Sequence, residues 1–162
     1  MGPLRIEKGN DPEGNPGAWI VFEPGAEPVF VAPRRWVGVD LDGTLARDDA
    51  EGHLLPPYPL GQPVPEMVQM VRSLLAAGVT VKIFSARACE PESIPIIQAW
   101  AERHGLGRLD VTNQKDFDLI RFYDDRAIQV VPNRGTSVGA LARNAPLSKS
   151  GNGAGEPEAA VS

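Results

Sequence analysis

Trp36-Val37-Gly38-Val39-Asp40-Leu41-Asp42-Gly43-Thr44-Leu45-Ala46 joins a short apolar run to a pair of carboxylates and a glycine turn. Val37 to Leu41 is short, apolar and β-branched, which predicts a strand buried on both faces of a parallel sheet. The pattern then breaks. Asp40 and Asp42 emerge at the carboxyl end of the strand, and Gly43 lets backbone N–H groups come close to a bound anion. Open α/β sheets place their sites at this end. Two carboxylates flanking one residue suit nucleophilic phosphoryl transfer: Asp40 attacks phosphorus, and Asp42 protonates the departing oxygen and later deprotonates the water that clears the intermediate. A cation on Asp40, but not on the Asp42 side chain, would separate the protonation tendencies of the two. The plain alternative is an acidic turn closing a strand.

Working outward, Val64, Met67, Val68, Val71, Leu74 and Leu75 recur at helical spacing, with Gly78 as the stop. Val79 to Phe84 follows as a second buried strand ending in Ser85-Ala86-Arg87. Strand, helix and strand in this order imply a parallel pair, which brings Ser85 to the same edge as Asp40. A second helix between Pro91 and Gly105 would bury Ile96, Ile97, Trp100 and Ala101, and His104 in its last turn suits the helix dipole. Leu109 to Thr112, Leu119 to Tyr123 and Ala127 to Val131 read as further strands, the second of them ending in Asp124-Asp125. Upstream, Ala18 to Phe22 and Pro28 to Val31 flank a turn-rich segment and predict a hairpin, with Trp19, Phe22 and Phe30 as packing groups. Residues 1–17 read as loose or only pinned at the surface, and Arg34 and Arg35 as solvated. Residues 47–62 form a loop in which His53 is read as exposed.

Asp40-Leu41-Asp42-Gly43-Thr44 also resembles the first motif of the haloacid-dehalogenase-like (HAD) hydrolases, most of which are magnesium-dependent phosphatases. Val81-Lys82-Ile83-Phe84-Ser85 is similar to their second motif, Lys115 to the third and Asp124-Asp125 to the fourth. The four occur in HAD order across about residues 36–133. Gly61-Gln62-Pro63-Val64-Pro65, Phe84-Ser85-Ala86-Arg87, Thr112-Asn113-Gln114-Lys115-Asp116-Phe117 and Tyr123-Asp124-Asp125-Arg126-Ala127 resemble a group of small, capless HAD proteins of bacteria and their phages. The resemblance implies an α/β fold: a three-layer α/β/α Rossmann-like core with a mainly parallel sheet and no cap domain, here carrying an N-terminal β-hairpin extension. The expected divisions are 1–35 for the extension, 36–135 for the core and 136–162 for a polar tail, disordered from about residue 145.

In that family pattern Asp40, Asp42, Ser85 and Lys115 are the catalytic residues, Ser85 and Lys115 stabilising phosphoryl charge. Gly43, Thr44, Ala86 and Arg87 are the candidate substrate contacts, Arg87 through a bidentate hold on an anion. Mg²⁺ would be held by Asp40, the backbone carbonyl of Asp42, and Asp124 or Asp125, because paired carboxylates at a strand end call for a cation between them.

The chain has 162 residues, 42% hydrophobic and 23% charged, ordinary for one globular domain. Its net charge of −5 gives no global attraction to nucleic acid or anionic membrane, although a local basic patch stays compatible with it. Cys89 is the only cysteine, so no intramolecular disulfide forms, and no apolar run reads as a signal peptide or bilayer span. The expected setting is the cytoplasm, with no membrane partner. The expected function is hydrolysis of a phosphate monoester through an aspartyl-phosphate. A nucleic-acid terminal phosphate is the leading substrate, since a site without a cap suits a bulky partner, and Arg87 and Arg126 are candidate backbone contacts. Small nucleotide or sugar phosphates are the alternative substrates. A receiver-like phosphoacceptor and a non-catalytic binding protein are the alternatives of other classes. A dehalogenase is disfavoured by Asp42.

Overall fold

The computed structural model describes residues 4–48 and 59–138. His53 and the tail from about residue 145 lie outside the described residues. Residues up to Ala127 form one compact unit, and a second begins at Ile128.

Among the described residues, the first unit contains a four-stranded parallel sheet and two α-helices. β4 (Trp36–Asp40), β5 (Thr80–Phe84), β6 (Asp110–Thr112) and β7 (Leu119–Tyr123) stand in the order β6-β5-β4-β7. Asp40 registers with Phe84, and Val39 with Tyr123, so the ends of β4, β5 and β7 share one edge. Successive strands run outward from β4 to β6, and the chain then crosses to the other side of β4 to form β7. The strand order therefore reverses between β4 and β7, where an open parallel sheet leaves a crevice beyond its carboxyl ends.

α1 (Pro65–Ala76) begins with proline, whose missing N–H and fixed φ suit the first helical position, and buries Met67, Val68, Met70, Val71 and Leu74. Gly78, at φ 80°, turns the chain out of the helix where a side chain would be strained. α2 (Ser93–Arg103) buries Ile97, Trp100 and Ala101. Ile96, expected on that face, is instead 48% exposed, because it lies at the flank of a stripe centred on Ile97 and Trp100. Both helices join the apolar cluster on the sheet face that carries Val37, Val39, Val81 and Ile83. Full burial of each such side chain contributes about 1.5–3 kcal/mol. The opposite face carries Trp36, Lys82, Phe84 and Phe122: the Lys82 ammonium lies 4.7 Å from the Trp36 ring, and the two phenylalanines meet edge to face at 4.8 Å. Among the described residues, no helix adds a layer on that side. The arrangement is mixed α/β and consistent with a Rossmann-like fold.

The N-terminal region is more ordered than its composition predicts. The hairpin forms as β2 (Pro16–Val21) and β3 (Val29–Val31), and residues 4–17 are pinned rather than loose, because β1 (Arg5–Asn10) pairs with the whole length of β2. Its mostly exposed, polar sequence is held by antiparallel ladder bonds, with Ile6 alone of its large apolar groups packed against the core. Ala18, Ile20, Phe22 and Val31 enter the same core as the parallel sheet. Trp19 packs on Phe30 at 5.2 Å.

Arg34 is solvated as expected, its side chain 74% exposed. Arg35 is only partly so: it approaches Asp118 at 3.7 Å and donates to the Phe117 carbonyl at 3.1 Å, where the chain enters β7. A further expectation is corrected: Ala127 to Val131 does not form a strand. In the second unit Val131 donates to Thr136 and Val138 to Gln129, while Asn133 and Gly135 take positive φ values of 63° and 70°. Pro132 and this tight reversal fold the segment back on itself.

Candidate functional site

Asp40 ends β4, and the chain then makes a compact turn in which Leu45 N–H donates to the Asp40 carbonyl and Gly43 N–H to that of Ala46. Gly43 sits at φ 85°, and a Cβ there would lie 2.7 Å from Asp125 Oδ2, so both conformation and space require glycine. The turn thereby packs directly against the acidic end of β7. Thr44, buried, joins the two: its hydroxyl lies 3.3 Å from both Asp40 Oδ2 and Asp125 Oδ1 and accepts from Asp125 N–H at 3.1 Å. A hydroxyl has one proton, so it donates to one of these carboxylates at a time. Thr44, expected to touch substrate, is engaged within the acid cluster.

Asp40, Asp124 and Asp125 each bring a carboxylate oxygen within 4.8 Å of the others. Asp124 Oδ1 accepts from Arg126 N–H at 2.6 Å and Ala127 N–H at 3.0 Å, which fixes its orientation. Burial, reinforced by the Asp124 charge and the contact with Asp125, pushes the Asp40 carboxyl up to about 7. Burial and the neighbouring carboxylates thus favour the protonated form of Asp40. An all-oxygen donor set of this kind fits a hard divalent cation such as Mg²⁺, which would remove that repulsion. The Asp42 side chain stands outside the group. Tyr123, beside Asp124, keeps its proton because burial raises its hydroxyl to about 12.

Ser85 follows β5, with its N–H bonded to the Thr112 carbonyl at 2.9 Å, and is only 1% exposed. It caps a single 3₁₀ turn, Ala86–Cys89, by accepting from Arg87 N–H at 3.2 Å. Arg87 reaches back to Asp42 in a bidentate pair, Nε to Oδ2 at 2.7 Å and Nη2 to Oδ1 at 2.8 Å. Both oxygens of the expected general acid are therefore occupied by the guanidinium.

Asp40, Asp42, Ser85, Ala86 and Asp124 line one cleft of about 440 Å³, together with Phe84, Asn113 and Arg126. Gly43, Thr44, Asp125 and Arg87 lie around it in the contacts above. Lys115 is placed differently from the other expected residues. It is exposed, with its ammonium 5.8 Å from the Phe122 ring, and it makes no ion pair among the described residues. Asn113 lines the cleft although the sequence reading assigned it no role. Its signal was position alone, directly after β6 at the site edge.

A larger cavity of about 880 Å³ lies between the N-terminal hairpin and α1, lined by groups such as Phe22, Pro24, Pro28 and Met70. It contains none of the clustered acids. The chemistry marks the smaller cleft as the candidate site, and size does not.

No protein-family model, curated protein or solved structure matches the chain. Among the described residues, no helix is long and apolar enough to cross a membrane.

Proposed function

We propose that this chain is a Mg²⁺-dependent phosphomonoester hydrolase of the HAD kind, with the three-layer α/β/α core as part of the proposal. The observation that carries it is the convergence of Asp40, Asp124 and Asp125 at the strand-order reversal, beside Asp42 and Ser85 in one cleft. Asp40 attacks phosphorus, and the bond from phosphorus to the ester oxygen breaks as that oxygen takes a proton from Asp42. Water then attacks the aspartyl-phosphate, giving a proton to Asp42, and the bond from Asp40 to phosphorus breaks to release inorganic phosphate. Ser85 donates its hydroxyl to a phosphoryl oxygen, and Lys115 would have to turn toward the cleft to add its charge. Mg²⁺ held by Asp40, Asp124, Asp125 and the Asp42 carbonyl would supply charge neutralisation at the phosphoryl group.

For the substrate, residues 47–62 are too few to build a cap domain, which favours a bulky ester that closes the site itself, with a nucleic-acid terminal phosphate as the leading class. Arg126, which lines the cleft, is the candidate contact for an adjoining phosphate. The test compares kcat/KM for a 3′-phosphorylated oligonucleotide with that for the matching mononucleotide, and preference for the mononucleotide removes the bulky-substrate reading.

A second reading, a phosphoacceptor that accumulates its aspartyl-phosphate, is favoured by one observation: Arg87 holds both Asp42 oxygens, so the acid is not free to serve a leaving group. Phosphorylated protein that persists without turnover would select it.

A further inference from the structure

The pair between Arg87 and Asp42 joins two residues expected to act separately, one on substrate and one on the leaving group. Its side chains are 17% and 28% exposed, so solvent screens it less than a surface pair. Among the described residues, Arg87 is also held by its backbone N–H on Ser85 Oγ, by its place in the 3₁₀ turn, and by Nη2 3.4 Å from the Pro59 carbonyl. A guanidinium offers its donors as a planar fork, and the groups that match the fork are carboxylate and phosphate. Asp42 and Ser85 both face the cleft in which a phosphoryl group would sit.

We propose that Arg87 is a substrate-displaced clamp: it holds Asp42 in the empty site, and an arriving phosphate takes the guanidinium and frees the carboxylate. This inference rests on the phosphatase reading. Arg87 acts on the reaction through Asp42, as a positioning residue, until the phosphate replaces that carboxylate on its fork. The two anions compete for one guanidinium, so Asp42 opposes phosphate binding through Arg87 as well as through its own charge.

A double-mutant cycle separates these effects. Inorganic phosphate binding is measured by calorimetry with Mg²⁺ for the wild type, Asp42→Asn, Arg87→Met and the double variant. For a clamp, Asp42→Asn tightens phosphate binding at least about fivefold more in the Arg87 background than in the Arg87→Met background. Charge removal alone tightens it equally in both, and that additive result overturns the clamp while leaving the phosphatase reading intact. Failure of all four proteins to bind phosphate overturns both. Should a variant not fold, the wild-type Arg87 Nε–H resonance decides: it moves on phosphate addition if the clamp opens, and a resonance that stays in place as phosphate binds refutes it. Phosphate release from p-nitrophenyl phosphate tests the underlying activity separately.

Discussion

Replacing Asp40 by asparagine should stabilise the metal-free protein, although it removes the proposed nucleophile. The Asp40 carboxyl is raised from 3.8 to about 7 by burial first and then by Asp124 and Asp125. At 1.36 kcal/mol per pH unit that displacement corresponds to about 4 kcal/mol. Asp40 is only half-buried, and discounting for solvent screening leaves about 2 kcal/mol. The sign follows from linkage: below 3.8 the group is protonated in both folded and unfolded chains and costs nothing. Between 3.8 and 7 the unfolded chain loses its proton first, so stability falls as pH rises and the full penalty is present above 7. Asp40→Asn removes this penalty, so in EDTA at pH 8 its Tm should exceed the wild type's by about 4–8 °C. The gain should shrink at pH 5 and when Mg²⁺ is added to the wild type. Thermal melts of both proteins at the two pH values, with and without Mg²⁺, make the measurement. A variant less stable than the wild type at pH 8 in EDTA would refute the crowded-acid account.

Gly43→Ala places a Cβ 2.7 Å from Asp125 Oδ2 at φ 85°, and the left-handed conformation alone costs about 1–2 kcal/mol. Melting should fall by about 2–8 °C, and the Mg²⁺ needed for half-maximal activity should rise. Asp124→Ala and Asp125→Ala should each raise that requirement too, seen by titrating Mg²⁺ against phosphate release, and activity that survives exhaustive EDTA contradicts the metal assignment. Asp42→Asn should slow esters with poor leaving groups by about 10²–10⁴-fold and p-nitrophenyl phosphate much less. Equal losses on both substrates remove Asp42 from the acid role.

The elements legible in the sequence are those whose signal is local. The six-residue periodic face ahead of Gly78 gave α1, and the apolar runs ending in Asp40, Ser85 and Asp124 gave three parallel strands with their ends at one edge. β1 was illegible because Arg5-Ile6-Glu7-Lys8-Gly9-Asn10 has little apolar content, and its strand state comes from pairing with β2. The segment 127–131 carried strand-like residues, but the conformation at Asn133 and Gly135, which composition only hints at, turned it into a local reversal. The site shows the same division. The acids could be placed at strand ends, whereas the bidentate hold of Arg87 on Asp42, 45 residues apart in the chain, depends on the β4–β5 register and the 3₁₀ turn after Ser85. The position of Lys115 depends likewise on the loop between β6 and β7. Trp36 Nε1 donates to Asp116 at 2.7 Å, which ties that loop down next to the lysine.

Release of inorganic phosphate from p-nitrophenyl phosphate by the purified protein, wild type against Asp40→Asn, with Mg²⁺ and with EDTA, decides whether Asp40 is a metal-assisted nucleophile. The wild type should release phosphate with Mg²⁺ and lose nearly all of that release on either removing the metal or changing Asp40. Release that persists in Asp40→Asn, or in EDTA, would contradict that role, as would a folded, Mg²⁺-loaded wild type that releases none.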